Sequence, residues 1–263
     1  MKLLRSTVAV KDSLTEEVLK KILLSASHCL SDLDHTDVDG SPAIDVAKKR
    51  IGVSSTSFGH LKLVSWAFWT GLEFSSAFSS EDRETAMETV RERRFSAYDR
   101  TVLRNPMAPN YQRELKSKVK QELAKLVNER YIARSLFRGV KEFYQVLPAK
   151  KIYLSRNLQP IVEAYAGFLG FTDALSEVKQ KQAALERLLL SDHSMRRLIF
   201  RIDGVAENEM INTAKFYLRQ KWSPVEGVLI LKRSLEMNDD FRTCDVVIGS
   251  NDYGLVDIMK ERR

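Results

Sequence analysis

Cys29-Leu-Ser-Asp-Leu-Asp-His-Thr-Asp-Val-Asp-Gly40 places two carboxylates, Asp32 and Asp34, one residue apart where a short apolar segment gives way to a polar loop. A strand over Cys29 to Leu33 alternates its side chains between two faces, so both acids are expected on one side at its end. Carboxylates this close repel each other unless water or a cation lies between them. The stretch reads either as an acidic surface turn or as a place for a cation or a reacting phosphate, and the rest of the chain decides between the two.

Upstream, Ser13 and Glu16 have the spacing of a capping box ahead of Val18, Leu19, Ile22 and Leu23, which predicts a helix over 13–27. Downstream, Ile44, Ala47 and Ile51 give Pro42 to Ile51 a helical stripe. From about 54 to 137 helical periodicity recurs without a convincing strand. The segment His60 to Phe78 is rich in aromatic and apolar side chains, including Trp66 and Trp69, but Lys62, Glu73 and several serines keep it below a membrane span. Leu115, Val119, Leu123 and Leu126 form one stripe of a helix over Tyr111 to Glu129, with basic residues on its other surfaces.

Beyond Gly139 strands and helices alternate. The pattern predicts helices over Val140–Leu147, Pro160–Phe168, Gln182–Leu190 and Glu207–Arg219. The expected strands are Lys151–Ser155, Arg197–Asp203, Gly227–Leu231 and Asp245–Ile248. Such alternation implies an α/β, doubly wound, Rossmann-like parallel sheet. Ligands of these sheets bind at the carboxyl ends of the strands, near the point where strand order reverses. Asp32, Ser155 and Asp203 each end a predicted strand, and Lys179 or Lys181 lies between the second and third of these, so they could meet at one rim.

The 263 residues suffice for one large domain or for a core carrying an insertion, and 44% hydrophobic with 29% charged residues is ordinary for a globular protein. The first ten residues lack the apolar core and cleavage site of a signal peptide, so a cytoplasmic protein is expected. Cys29 and Cys244 are too few for a disulfide framework and are expected as buried thiols. From Arg91 to Arg138 thirteen Lys or Arg face five acids, an excess that accounts for the whole net charge of +7. That basic stretch suits a solvated helical face or an anionic ligand, whether a phosphorylated metabolite or a nucleic acid.

Asp32-Leu-Asp-His-Thr36, Ser155, Lys181 (or Lys179) and Asp203-Gly-Val-Ala-Glu207, in this order, resemble the four motifs of the haloacid dehalogenase (HAD) superfamily of phosphohydrolases. They resemble in particular its phosphoserine-phosphatase-like branch, in which a helical cap follows the first motif. The resemblance spans about residue 28 to the end and divides the chain into a helical extension over 1–27, an α/β core over 28–53 and 138–263, and an all-helical cap over 54–137. It implies a Mg²⁺-dependent phosphatase acting on a small phosphorylated metabolite, with no membrane partner and with nucleic acid an unlikely ligand. Asp32 would be the nucleophile, forming an aspartyl phosphate, and Asp34 the acid and base. Asp32, Asp203 and the backbone carbonyl of Asp34 would hold the metal, Ser155 and Lys181 the phosphoryl oxygens, and Glu207 the metal's water ligands. Thr36 would steady the motif loop. Trp66, Trp69 and Arg94 in the cap would select the substrate. Ser31 before the nucleophile and Ile202 before the fourth-motif acid depart from the family's usual apolar residue and Gly. The alternative is a relative without turnover, whose basic cap binds an acidic partner or RNA.

Other chemistries fail on spacing. With Gly40 as the glycine of a calcium loop, His35 would stand first and Val46 where a bidentate Glu belongs. His28, Cys29 and His35 have no further ligand at zinc spacing, and no phosphate-cradling glycine loop occurs.

Overall fold

In the computed structural model the described residues are 2–40, 42, 127–157, 159–176, 178, 180–204, 207–234 and 243–261. The chain divides into two compact units, Met1–Ser41 with Asn128–Arg263, and Pro42–Val127. The account below concerns the first. The helix expected over 60–78 and most of those over 42–51 and 111–129 lie outside the described residues, as do Trp66, Trp69, Arg94 and Lys179.

The first unit is built on an eight-stranded sheet: β1 (Lys2–Arg5), β2 (Val8–Val10), β3 (His28–Ser31), β4 (Lys150–Leu154), β5 (Asp173–Leu175), β6 (Arg197–Ile202), β7 (Gly227–Arg233) and β8 (Val246–Ile248). Its order is β1-β2-β8-β7-β6-β3-β4-β5. The six strands from β3 to β8 run parallel, and β2 and β1 add an antiparallel edge. The chain leaves β3 toward β4 and β5, then returns to the other side of β3 with β6, β7 and β8, so the order reverses at β3. The fold's own logic thus puts a ligand crevice beyond Ser31.

The helices are α1 (Glu16–Ser25), α2 (Glu129–Ser135), α3 (Val140–Val146), α4 (Gln159–Leu169), α5 (Lys181–Ser191), α6 (Asn208–Arg219) and α7 (Tyr253–Lys260). Strand alternation sorts the sheet's side chains between two helical layers. Leu30, Leu154, Leu198, Phe200 and Ile230 share a buried cluster with Leu185 and Leu189 of α5 and Met210, Ile211 and Ala214 of α6. On the other face Ser31, Tyr153 and Arg201 stand side by side in β3, β4 and β6, and the Arg201 guanidinium lies 4.5 Å from the Phe143 ring of α3. Both cysteines are buried thiols outside any disulfide, and burial pushes the Cys29 thiol up to about 12.

Several expectations need correction. The N-terminal segment is not a purely helical extension, because β1 and β2 join the sheet through the pairing of Val8–Val10 with Val246–Ile248. Thr15 caps α1 in place of Ser13, its Oγ1 accepting the Val18 N–H at 3.3 Å. A helix begins at Glu129, where the expected one was to end, because Asn128 Oδ1 accepts the Tyr131 N–H at 3.0 Å and caps α2. Residues 128–137 therefore belong to the core unit, and 135–137 tie back to 37–39 through Phe137 N–H to Asp37 O, Asp39 N–H to Ser135 O and the Val38–Leu136 bridge.

Candidate active site

Asp32 follows β3 directly. Its N–H donates to Arg201 O at 3.1 Å, which carries the ladder one residue past Ser31, so its side chain shares the face of Leu30, toward α5. There the ladder stops, because Asp32 Oδ1 accepts the Leu33 N–H at 2.8 Å and turns the chain. The expected strand to Leu33, with Asp32 and Asp34 on one side, gives way to a loop in which the two acids have different partners. His35 within it has a left-handed φ of 55°, and Gly40 closes it with φ 103°.

On the α5 side stands Lys181, the first residue of that helix and 4% exposed. Its Nζ lies 2.7 Å from Asp32 Oδ2 and 2.9 Å from Glu207 Oε1. Burial disfavours the ammonium, but Asp32 and Glu207 outweigh it and raise the lysine above its ordinary value. Glu207 precedes α6 and is 2% exposed. Asp203 follows β6, and a carboxylate oxygen of each of Asp32, Asp203 and Glu207 lies within 4.8 Å of the others. Asp203 is pushed up to about 8, first by burial and then by the charges of Asp32 and Glu207, which Lys181 only partly offsets. Three carboxylates against one ammonium leave a deficit of positive charge that a proton or a cation can fill. Three hard oxygen donors suit Mg²⁺, and Glu207 Oε2 is buried without a hydrogen-bond partner among the described residues. The residues therefore fit a divalent cation.

Ser155 follows β4 and is buried, with its N–H bonded to Leu175 O at 2.9 Å. Its Oγ accepts the backbone N–H of Asn157 at 3.1 Å, and the Asn157 side chain donates Nδ2–H to Asp34 Oδ1 at 2.9 Å. Asp34 is thus drawn toward the Ser155 loop while Asp32 is drawn toward Lys181. Asn157 carried no signal in the sequence.

Beneath the loop lies a second group, also unforeseen. Asp37 is fully buried and accepts hydrogen bonds from Ser31, Tyr144 and Tyr153 at 3.1, 2.7 and 2.9 Å. Arg201 Nη2 pairs with Asp37 Oδ1 at 3.0 Å and with Asp252 Oδ2 at 2.8 Å. Arg233 Nη2 pairs with Asp252 Oδ1 at 2.7 Å, and its Nε donates to the Thr36 carbonyl at 3.1 Å. Ser31, in place of an apolar residue, is the hydroxyl this network requires. Thr36 is braced through its backbone, while its buried hydroxyl has no partner among the described residues.

No protein-family model and no curated protein matches the sequence. Solved structures do. The chain is similar to cytosolic 5'-nucleotidase IIIB bound to cytidine, with TM-score 0.60 and 11% identity over 98% of this chain and 95% of that one. It is also similar to YfnB from Bacillus subtilis, described as a HAD-hydrolase bound to magnesium, with TM-score 0.53 and 13% identity over 90% and 99%. A substrate-bound phosphoserine phosphatase gives TM-score 0.50 and 12% identity over 90% and 99%.

Proposed function

We infer that this chain, which has the fold of the HAD phosphohydrolases, is a Mg²⁺-dependent phosphatase acting on a small phosphorylated metabolite. The observation that carries this reading is the meeting of Asp32, Lys181, Asp203 and Glu207 beyond the ends of adjacent parallel strands. Similarity to a nucleotidase and to phosphoserine phosphatase supports a phosphomonoester as substrate. Trp66, Trp69 and Arg94 would select it from the unit over 42–127.

In this reading Asp32 attacks phosphorus as the nucleophile. A carboxylate needs no activating base, and dividing the hydrolysis into two transfers lowers each barrier. As the ester bond breaks, Asp34 gives its proton to the leaving oxygen. It then takes a proton from the water that splits the aspartyl phosphate, restoring Asp32 and releasing phosphate. Lys181 holds a phosphoryl oxygen and neutralises charge as it develops, and Ser155 holds another. Asp32, Asp203 and the Asp34 carbonyl would hold Mg²⁺, with Glu207 close enough to bind it directly or through water. Bound there, the ion supplies positive charge that lets an anionic nucleophile approach an anionic ester.

Phosphate release from an aryl phosphate in the presence of Mg²⁺ tests the reading. The Asp32→Asn variant is expected to lose at least about a thousandfold in kcat, the scale on which removing a covalent nucleophile acts. Equal release by the variant and the parent protein refutes it.

A further inference from the structure

Asn157 lies two residues beyond Ser155, is 6% exposed, and touches both halves of the reaction centre. Its side-chain Nδ2–H donates to Asp34 Oδ1 at 2.9 Å, and its backbone N–H donates to Ser155 Oγ at 3.1 Å. We propose that Asn157 is a positioning residue that fixes which oxygen of Asp34 delivers the proton to the leaving group. The proposal rests on the phosphatase reading above.

The carboxyl torsion of an Asp is broad and roughly two-fold, so nothing intrinsic to the side chain distinguishes its two oxygens. An amide N–H aimed at Oδ1 does distinguish them. An oxygen accepting that bond cannot present a proton along the same line, so in the acid form the proton resides on Oδ2. The bond also fixes the plane of the carboxyl group, and so the direction in which that proton points. Because the contact to Ser155 comes from the backbone, replacing the Asn157 side chain leaves the serine's partner in place.

Leaving-group dependence separates this role from a merely structural one. 4-Nitrophenolate departs as a stable anion and needs no proton, whereas the alkoxide leaving benzyl phosphate does, and the two esters are similar in size. The quantity kcat/KM counts steps only through departure of the leaving group, so later hydrolysis of the common aspartyl phosphate does not enter it. Asn157→Ala and Asn157→Leu are expected to lower kcat/KM on benzyl phosphate roughly 10- to 100-fold, the range for a displaced acid–base group. On 4-nitrophenyl phosphate they are expected to lower it less than about threefold, since proton delivery adds little there. The ratio of the two values within one preparation does not depend on the folded fraction, so a destabilised variant still reports.

Equal losses on both esters in an active protein overturn the inference alone. A parent protein that hydrolyses the nitrophenyl ester but not the benzyl ester has no proton delivery for Asn157 to position, and overturns it too. Hydrolysis of neither ester overturns the phosphatase reading and this inference with it.

Discussion

Replacing Arg201 by Met tests the buried network directly. Arg201 is 1% exposed and is shared between Asp37 and Asp252 at 3.0 and 2.8 Å. Without it Asp252 keeps Arg233 at 2.7 Å, but Asp37 is left with hydroxyl hydrogen-bond partners and no ion pair among the described residues. Breaking a buried pair from one side costs about 3–5 kcal/mol, and Met keeps an apolar contact for the Phe143 ring, so lost packing adds little. Equilibrium urea unfolding measures the cost. Burial already holds Asp37 above the ordinary carboxylate range, with Arg201 pulling against it. Once the arginine is gone the carboxyl rises further and takes up a proton in the folded state. A raised folded value means the unfolded chain releases this proton first as pH rises, so the penalty grows with pH from the unfolded carboxylate value upward and shrinks as pH falls toward it. Adding Asp37→Asn in the Arg201→Met background removes the orphaned charge and should recover about 2 kcal/mol, within the range of coupling for residues in direct contact. A loss below about 1 kcal/mol for Arg201→Met, or strict additivity of the two changes, refutes the account.

Metal binding should depend on pH in a defined direction. Asp203 near 8 is protonated at neutral pH without a cation, so Mg²⁺ must displace that proton and its affinity should fall as pH drops below about 8. Calorimetry in buffers of different ionisation enthalpy should show about one proton released per ion at pH 7, and no release would refute the coupling. Gly139 caps α3 with φ 82°, and an added Cβ would stand 2.8 Å from the Tyr253 backbone nitrogen. Gly139→Ala should destabilise by about 2 kcal/mol or more, since left-handed strain and a backbone clash add; a urea midpoint unchanged from the parent would contradict this.

The central sheet was legible because its strands are short apolar runs between helices of clear period. β3, β4, β6, β7 and β8 all fall within two residues of their expected bounds or extend beyond them at one end. The edges were not legible. β5 has three half-exposed or exposed residues, and β1 and β2 form a hairpin too short for period 2 to stand out. Of the candidate site, Asp32, Ser155 and Asp203 could be singled out because each ends an expected strand, while Lys181 and Lys179 stood as alternatives. Asn157 could not, since it lies 123 residues from its partner Asp34. The buried network did leave a trace. In Leu198-Ile-Phe-Arg-Ile202 a lone arginine interrupts an apolar run of the kind buried on both faces, and Arg233 closes another. Charges in such positions must be paired, so two partners for them were to be sought elsewhere in the chain; Asp37 and Asp252 are those partners.

The loop from Asp32 to Gly40 therefore serves two charge systems at once. One side of it, through Thr36 O and Asp37, rests on two arginines and two aspartates whose charges cancel. The other side presents Asp32 and Asp34 to a region where Lys181 is the ammonium set against Asp32, Asp203 and Glu207. A balanced network stiffens the loop without imposing a net field on the acids above it. The imbalance is thus confined to the open end of the sheet, where a cation and a phosphoryl group can enter. Arg201, shared between Asp37 and Asp252, keeps the two systems separate.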